Sequence, residues 1–172
     1  MVQRRPVQRH DRMVCFDDAT DRFQMRAAAI ALRNGRVLVQ NLVGVASCFL
    51  PGGRIEQGES SGETLVREIQ EEFGRTVTVG PLAFVIESFF VENGQRFHEV
   101  GLYYGIETDA DFPYHDTDIC HRCMEGAVEM EYRWVNASPD RLAAAAFYPE
   151  PLRSRLAQLP LGTVHILDRP AQ

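Results

Sequence analysis

The stretch that decides the fold runs from residue 53 to residue 75 and reads GRIEQGESSGETLVREIQEEFGR. A proline and two glycines at residues 51–53 forbid regular structure, so a loop begins there. Ser60 and Glu63 match a capping box, and Gly74 stands where a left-handed C-terminal cap falls. The pattern therefore predicts a loop followed by a helix over residues 60–73.

Three glutamates on this helix are expected to converge on one face. Glu68, Glu71 and Glu72 are spaced i, i+3 and i+4, whereas the apolar residues form a separate stripe that predicts packing. That stripe comprises Leu65, Val66, Ile69 and Phe73. Like charges at this spacing destabilise a helix, and carboxylates in its last turns face the negative end of its dipole. A bound divalent cation is the simplest compensation.

The chemistry of this face favours Mg²⁺ or Mn²⁺. Carboxylate oxygens and loop carbonyls suit these metals, and the absence of thiolate or imidazole from the segment argues against zinc. A solvated acidic face is the alternative for three glutamates considered alone. The glycine loop and the embedded Arg67 favour a functional site.

The segment closely resembles the Nudix box: Gly, five residues, Glu, seven residues, Arg-Glu, an aliphatic residue, any residue, Glu-Glu, any residue, Gly and an aliphatic residue. The positions in register are Gly53, Glu59, Arg67, Glu68, Ile69, Glu71, Glu72 and Gly74. Arg75 departs from the pattern, because the family usually has an aliphatic side chain there. A motif that constrains this many positions is highly specific.

The resemblance implies a Nudix fold of the α/β class, an α/β/α sandwich with a mixed β-sheet. It implies Mg²⁺, replaceable by Mn²⁺, as cofactor, with four ligands: Glu68, Glu71, Glu72 and the carbonyl of Gly53. Glu59 and Arg67 would form a supporting ion pair. The implied reaction is hydrolysis of a diphosphate linkage in a nucleoside triphosphate, ADP-ribose, a dinucleoside polyphosphate or a nucleotide sugar.

The general base and the substrate contacts are less defined, because the base varies within the family. Glu71 is our choice of base, and the other candidates are Glu99, Asp109, Asp111, Asp116, Asp118 and Glu125. Phe89 or Phe90 would stack on a nucleobase, although aromatic residues on strands are more often core. Glu99 suits a metal better than its neighbour His98 does. Near Ser88 the sequence lacks the proline that is typical of ADP-ribose hydrolases of the family and the tyrosine that is typical of its dinucleoside polyphosphate hydrolases.

Other patterns predict the remaining elements. Apolar runs around Asn34-Gly35 predict a β-hairpin over residues 23–40. Further strands are expected over residues 76–79, 82–90, 97–106 and 128–135, and helices are expected from Ser138 and over residues 150–159. Residues 107–126 show no periodicity and are a candidate lid loop. We expect an N-terminal arm or edge strand over residues 1–22, a single domain over 23–160 and a tail over 161–172.

Composition narrows the function classes. The chain has 172 residues and a formal net charge of −6, which disfavours long nucleic acids as partners. No apolar run is long enough for a membrane span, so we expect a cytoplasmic protein, with a homodimer as a common state for such folds. Cys120 and Cys123, even with His115, are too few for us to favour structural zinc. A catalytically inactive ligand-sensing module and an isoprenoid diphosphate isomerase are the alternatives.

Overall fold

The computed structural model describes residues 8–9 and 12–169 of the chain. Its strands are β1 (Gln8–Arg9), β2 (Cys15–Asp17), β3 (Asp21–Arg33), β4 (Arg36–Leu42), β5 (Gly52–Arg54), β6 (Thr78–Glu92), β7 (Gln95–Glu107), β8 (Ile119–Glu125), β9 (Val128–Asn136) and β10 (Val164–Asp168). Its helices are α1 (Ser61–Phe73) and α2 (Pro139–Ala144), and a 3₁₀ turn covers Glu150–Leu152.

All strands of the described chain belong to one mixed sheet with the main order β10-β6-β7-β3-β4-β9-β8. β10 runs parallel to β6 and β3 runs parallel to β7, whereas the other pairs are antiparallel. One core cluster contains the apolar face of α1, and a second contains Leu142 of α2 and Leu152 of the 3₁₀ turn. Helical elements therefore cover both faces, which confirms the α/β/α sandwich.

The strand β3 changes partner along its length, and this change makes room for the loop before α1. Its last residues pair with β4 across the tight turn at Asn34 (φ 51°) and Gly35 (φ 71°), a conformation that Asn-Gly adopts readily. Its middle pairs instead with β5, where Ala27 lies opposite Gly53. The glycine-rich segment is thereby held against the sheet next to α1.

The helix α1 follows the signals in its sequence. The Ser60 side chain accepts from the backbone N–H of Glu63, the Glu63 carboxylate accepts from Ser60, and Gly74 ends the helix at φ 63°. Leu65 and Ile69 are fully buried, and truncating Ile69 to Ala would cost about 2–5 kcal/mol. Val66 was expected on the same stripe but is 38% exposed, because it lies about 100° around the helix from Leu65.

Two expectations about secondary structure were wrong. Residues 107–126 are not wholly irregular, because Ile119–Glu125 forms β8 against β9. A register shift between Ile119 and His121 breaks the alternation of side chains, which removed the strand signal from the sequence. Residues 150–159 form a three-residue 3₁₀ helix followed by turns rather than an α-helix, and this segment packs Leu152 and Leu156 into the core.

The ends of the described chain also join the sheet. β2 pairs with the start of β3, and β10, within the expected tail, pairs with β6 from Val164 to Asp168. Parts of the expected arm and tail, namely residues 1–7, 10–11 and 170–172, lie outside the described residues. Across the described chain, none of the helices has the length and apolar character needed to span a membrane.

Candidate active site

An ion pair fastens the loop before α1 to the helix itself. Arg67 donates from Nε to Glu59 Oε1 at 2.8 Å and from Nη2 to Glu59 Oε2 at 3.0 Å. Thr64 adds a hydroxyl donor to Glu59 at 2.8 Å. The hydrogen bond from Arg67 is the largest cause that lowers the pKa of Glu59 to about 2. Glu59 is therefore ionised and held in place at neutral pH.

Glu68 lies between Arg67 and the glycine loop. Its Oε1 accepts from Arg67 Nη1 at 2.7 Å, and its side chain is only 14% exposed. A Cβ added to Gly53 would overlap the Glu68 carboxylate, so any larger residue here would displace that carboxylate. Burial raises the pKa of Glu68 despite the opposing hydrogen bond from Arg67. The protein thus holds a partly desolvated carboxylate against the loop backbone.

Glu72 is the most perturbed acid of the helix. Burial is the largest cause that raises its pKa to about 8, and the charge of Glu68 raises it further. The Tyr132 hydroxyl and the charge of Arg26 act in the opposite direction. Among the described residues, Glu72 Oε2 is buried and has no hydrogen-bond partner. A buried carboxylate with one unsatisfied oxygen is costly unless a cation or proton compensates it.

Glu71 is arranged differently from the other two glutamates. Its side chain is 62% exposed and accepts from Arg67 Nη1 at 3.3 Å. Its charge is nevertheless felt at Glu68, whose pKa it raises. Within residues 12–169, no three His, Cys, Asp or Glu side chains already form a group that could hold a metal ion. In this arrangement Glu71, the exposed glutamate of the three, contacts Arg67.

The predicted substrate residues lie apart from these carboxylates. Phe89 stacks on His98 with ring centres 4.4 Å apart, and Phe90 stacks on Phe97 at 4.8 Å. The partner of Gly53 on β3, Ala27, is in register with Val85 on β6 by way of β7, and Phe89 lies four residues further along β6, which is roughly 13 Å along the strand. Glu99 is buried and accepts from Gln24 Nε2 at 2.6 Å.

The candidate bases are spread over several places. Glu71 and Glu125 are close enough for their charges to raise the pKa of Glu68, and Glu125 also acts on Glu72. The remaining loop candidates precede β8 and are all exposed; they are Asp109, Asp111, Asp116 and Asp118. The structure thus places Glu125, at the end of β8, in the electrostatic environment of the helix.

Three residues near Glu72 were missed by sequence reasoning. Tyr132 on β9 is fully buried beside it. Arg26 donates from Nη2 to the Gly52 carbonyl at 3.3 Å, and His121 on β8 contacts the Glu72 carbonyl at 2.7 Å. Arg26 had a visible signal, a charge directly before the apolar run of residues 27–32. The other two depend on the pairing of β8 with β9.

The cysteines of β8 make contacts of a different kind. The Cys120 thiol donates to the Tyr132 carbonyl at 3.3 Å, and Cys123 Sγ lies 3.5 Å from the Tyr132 hydroxyl. His115 Nδ1 accepts from the backbone N–H of Thr117 at 3.3 Å. The two cysteine contacts connect β8 with β9 beside the carboxylate helix, whereas the His115 contact stays within the loop before β8.

Residues 23–149 match the NUDIX domain family model, which covers well over half of the chain and includes the whole segment from Gly53 to Arg75. The chain belongs to the Nudix hydrolase family. It is a Nudix-type hydrolase, and residues 53–75 are its Nudix box. No curated protein matches the chain.

Solved Nudix structures show the same fold at low identity. A UDP-X diphosphatase is 21% identical, with 88% of this chain and 69% of that chain covered and a TM-score of 0.55. The mutator MutT protein from Bacillus halodurans is 19% identical, with 83% and 89% covered and a TM-score of 0.53. An ADP-ribose pyrophosphatase from Streptococcus suis is 14% identical, with 84% and 98% covered and a TM-score of 0.50.

Proposed function

We propose that this Nudix hydrolase uses Mg²⁺ to cleave a diphosphate linkage in a small nucleoside diphosphate derivative. The observation that carries the proposal is the buried carboxylate of Glu72, which has an unpaired oxygen among the described residues and lies within the electrostatic influence of Glu68. Burying one carboxylate beside another lowers the stability of the protein, and a purely structural role does not require this arrangement. A cation that both carboxylates bind would offset this cost.

The residues present fit Mg²⁺. Glu68 and Glu72 offer oxygen donors, and the Glu68 carboxylate lies against Gly53, whose carbonyl we propose as a further ligand. Glu71 would complete the set. Oxygen donors of this kind suit a small divalent cation that retains water ligands, and Mn²⁺, which accepts similar ligands, is expected to substitute.

The chain's own residues would then perform three tasks. Arg67 holds Glu59 and Glu68 at 2.7–2.8 Å and so keeps these two carboxylates in place, whereas Glu71 would exchange its longer contact with Arg67, at 3.3 Å, for the metal. The glycine loop brings backbone oxygens beside it. When bound, Mg²⁺ supplies the positive charge that activates water and neutralises the diphosphate. Glu71 would accept a proton from the attacking water, since it is exposed and adjacent to the other two glutamates.

The identity of the base can be tested separately. Glu125 is the competing candidate, because its charge reaches both Glu68 and Glu72, whereas Glu99 is engaged by Gln24. If Glu71 is the base, Glu71→Gln should lower kcat strongly, while Glu125→Gln keeps kcat near that of the wild type. The reverse result would assign the base to Glu125.

The proposed substrate class is coarse. Named relatives act on UDP-X and ADP-ribose, as their own names state, and the net charge of −6 disfavours a long polyanion. Phe89 and Phe90 stay a prediction as base-stacking residues: each ring stacks on one neighbour, and both line an open pocket of about 570 Å³.

The experiment is a substrate panel assayed with and without Mg²⁺. The panel contains nucleoside triphosphates, ADP-ribose, dinucleoside polyphosphates and nucleotide sugars, with products identified by mass spectrometry. We expect turnover of at least one substrate by the wild type and its loss in Glu72→Gln. Glu63→Gln is the matched control on the same helix, because glutamine preserves the capping box.

Two results would contradict the proposal. Equal turnover in EDTA and in Mg²⁺ would exclude the metal requirement. Tight binding of one panel member, with no turnover in the presence of any metal tested, would instead support the ligand-sensing alternative.

A further inference from the structure

The side chain of His121 contacts the last turn of α1 from outside the Nudix box. His121 lies on β8, opposite Tyr132 on β9 and next to the register shift of that strand. Its Nε2 is 2.7 Å from the backbone carbonyl oxygen of Glu72. Because a carbonyl can only accept, Nε2 must carry the proton in this bond.

The carbonyl that His121 contacts is one that the helix itself cannot satisfy. The last four carbonyls of an α-helix have no partner within the helix. Here the N–H of Gly74 bonds to the Gln70 carbonyl, and α1, which lies wholly within the described chain, has no basic residue in its last turn. His121 thus provides the helix end with a donor from the neighbouring sheet.

The position of the imidazole ring is well defined. It stacks on Phe73 with ring centres 4.6 Å apart and planes 26° from parallel, and it lies 5.7 Å from the Tyr132 ring. Phe112 packs against Phe73 separately, at 4.8 Å. The hydrogen bond to Glu72 therefore begins from a ring that two aromatic neighbours restrain.

Glu72 is consequently restrained at both ends. Its backbone is bonded to His121 on β8, and its carboxylate lies beside the Tyr132 hydroxyl of β9. The two strands pair with each other, so one rigid unit restrains both groups. Such support of a ligand by surrounding residues commonly sets its metal affinity.

We propose that His121 is a positioning residue that fixes Glu72 for metal binding through the bond to its backbone carbonyl. The proposal rests on the proposed function, since it assumes that Glu72 binds a divalent cation. His121 itself contacts neither the metal nor the substrate. Its effect on the reaction is transmitted through the position of the Glu72 carboxylate.

The test compares two substitutions that separate ring packing from hydrogen bonding. His121→Phe keeps an aromatic ring on Phe73 but has no N–H, whereas His121→Gln supplies an amide N–H at a similar reach. Mn²⁺ affinity is measured directly by electron paramagnetic resonance of the free ion. We expect about tenfold weaker binding in His121→Phe and recovery to within about threefold of the wild type in His121→Gln.

Phe112→Leu is the control for a purely structural role. This change disturbs the packing of Phe73 without touching the bond between His121 and Glu72. It should lower the melting temperature while leaving Mn²⁺ affinity unchanged. Equal loss of affinity in Phe112→Leu and His121→Phe would reduce His121 to a packing residue and overturn the inference.

The remaining outcomes distinguish the two proposals. If the wild type itself fails to bind Mn²⁺, the proposed function fails. If the wild type binds Mn²⁺ and His121→Phe binds equally well, only the role of His121 fails. Nitrogen NMR of the wild-type imidazole covers the case in which His121→Phe does not fold, because a tautomer protonated only at Nδ1 would also overturn the inference.

Discussion

Replacing Glu72 with glutamine is expected to stabilise the metal-free protein while abolishing its stabilisation by Mg²⁺. Burial and Glu68 raise the pKa of Glu72 from 4.5 to about 8. Between these two values Glu72 keeps its proton in the native state, whereas in the unfolded chain it has lost the proton. Stability therefore falls as pH rises from 4.5 to about 8, and glutamine, which cannot ionise, removes this loss.

The magnitude follows from the span between the two pKa values. At about pH 7 the pH is about 2.5 units above the ordinary pKa of a glutamate. At 1.36 kcal/mol per unit, the stability that the wild type has lost by this pH is at most about 3.4 kcal/mol. Coupling to Glu68 and partial solvent access reduce this to about 1–3 kcal/mol. For a domain of this length, the melting temperature should rise by about 3–10 °C.

The assay is calorimetric unfolding in EDTA at several pH values between 5 and 9, followed by the same scans in Mg²⁺. Wild type should gain stability from Mg²⁺ through preferential binding to the native state, and Glu72→Gln should not. Glu63→Gln should match the wild type in both series, because Glu63 is an exposed residue of the capping box. A Glu72→Gln protein that is less stable than wild type in EDTA at high pH would refute the reasoning, as would equal stabilisation of both proteins by Mg²⁺.

Two further predictions concern the loop and its ion pair. Gly53→Ala should weaken Mn²⁺ binding by about tenfold or more, because its Cβ would displace the Glu68 carboxylate. Paramagnetic titration measures this affinity. Gly62→Ala, whose Cβ meets only Val79 Cγ1 at 4.0 Å, should bind Mn²⁺ as the wild type does. Arg67 lowers the pKa of Glu59 from 4.5 to about 2, so the stability that this bond contributes is present above pH 4.5 and is lost as pH falls towards 2. The free energy of unfolding, measured with urea between pH 4.5 and 2, should fall less steeply with decreasing pH in Arg67→Met than in the wild type. An unchanged slope would show that Arg67 does not lower the pKa of Glu59.

The local signals in the sequence were sufficient for α1 and the tight turns. Ser60, Glu63 and Gly74 mark the ends of the helix by short-range hydrogen bonds and a left-handed conformation, which depend only on neighbouring residues. The same reasoning holds for Asn34-Gly35 and Asn93-Gly94, where both residues have positive φ. The α/β/α sandwich was inferred from the family resemblance rather than from these signals.

Elements stabilised by distant partners escaped sequence reasoning. β8 is a strand because β9 pairs with it across a register shift, and its own residues show no clean alternation. The predicted helix over residues 150–159 had adequate apolar spacing, yet the chain there forms a short 3₁₀ helix and then turns, which together bury Leu152 and Leu156. In both places the tertiary environment outweighs local propensity.

By itself, the sequence determined which side chains form the acidic helix, where that helix begins and ends, and to which family the box belongs, because these properties reside in residues close together along the chain. Only the tertiary structure decided how the three glutamates differ. Glu72 is buried beside Tyr132, Glu68 lies against Gly53, and Glu71 remains exposed near Arg67. Burial and charge proximity depend on strands far away in sequence, so no local pattern could distinguish one carboxylate from another.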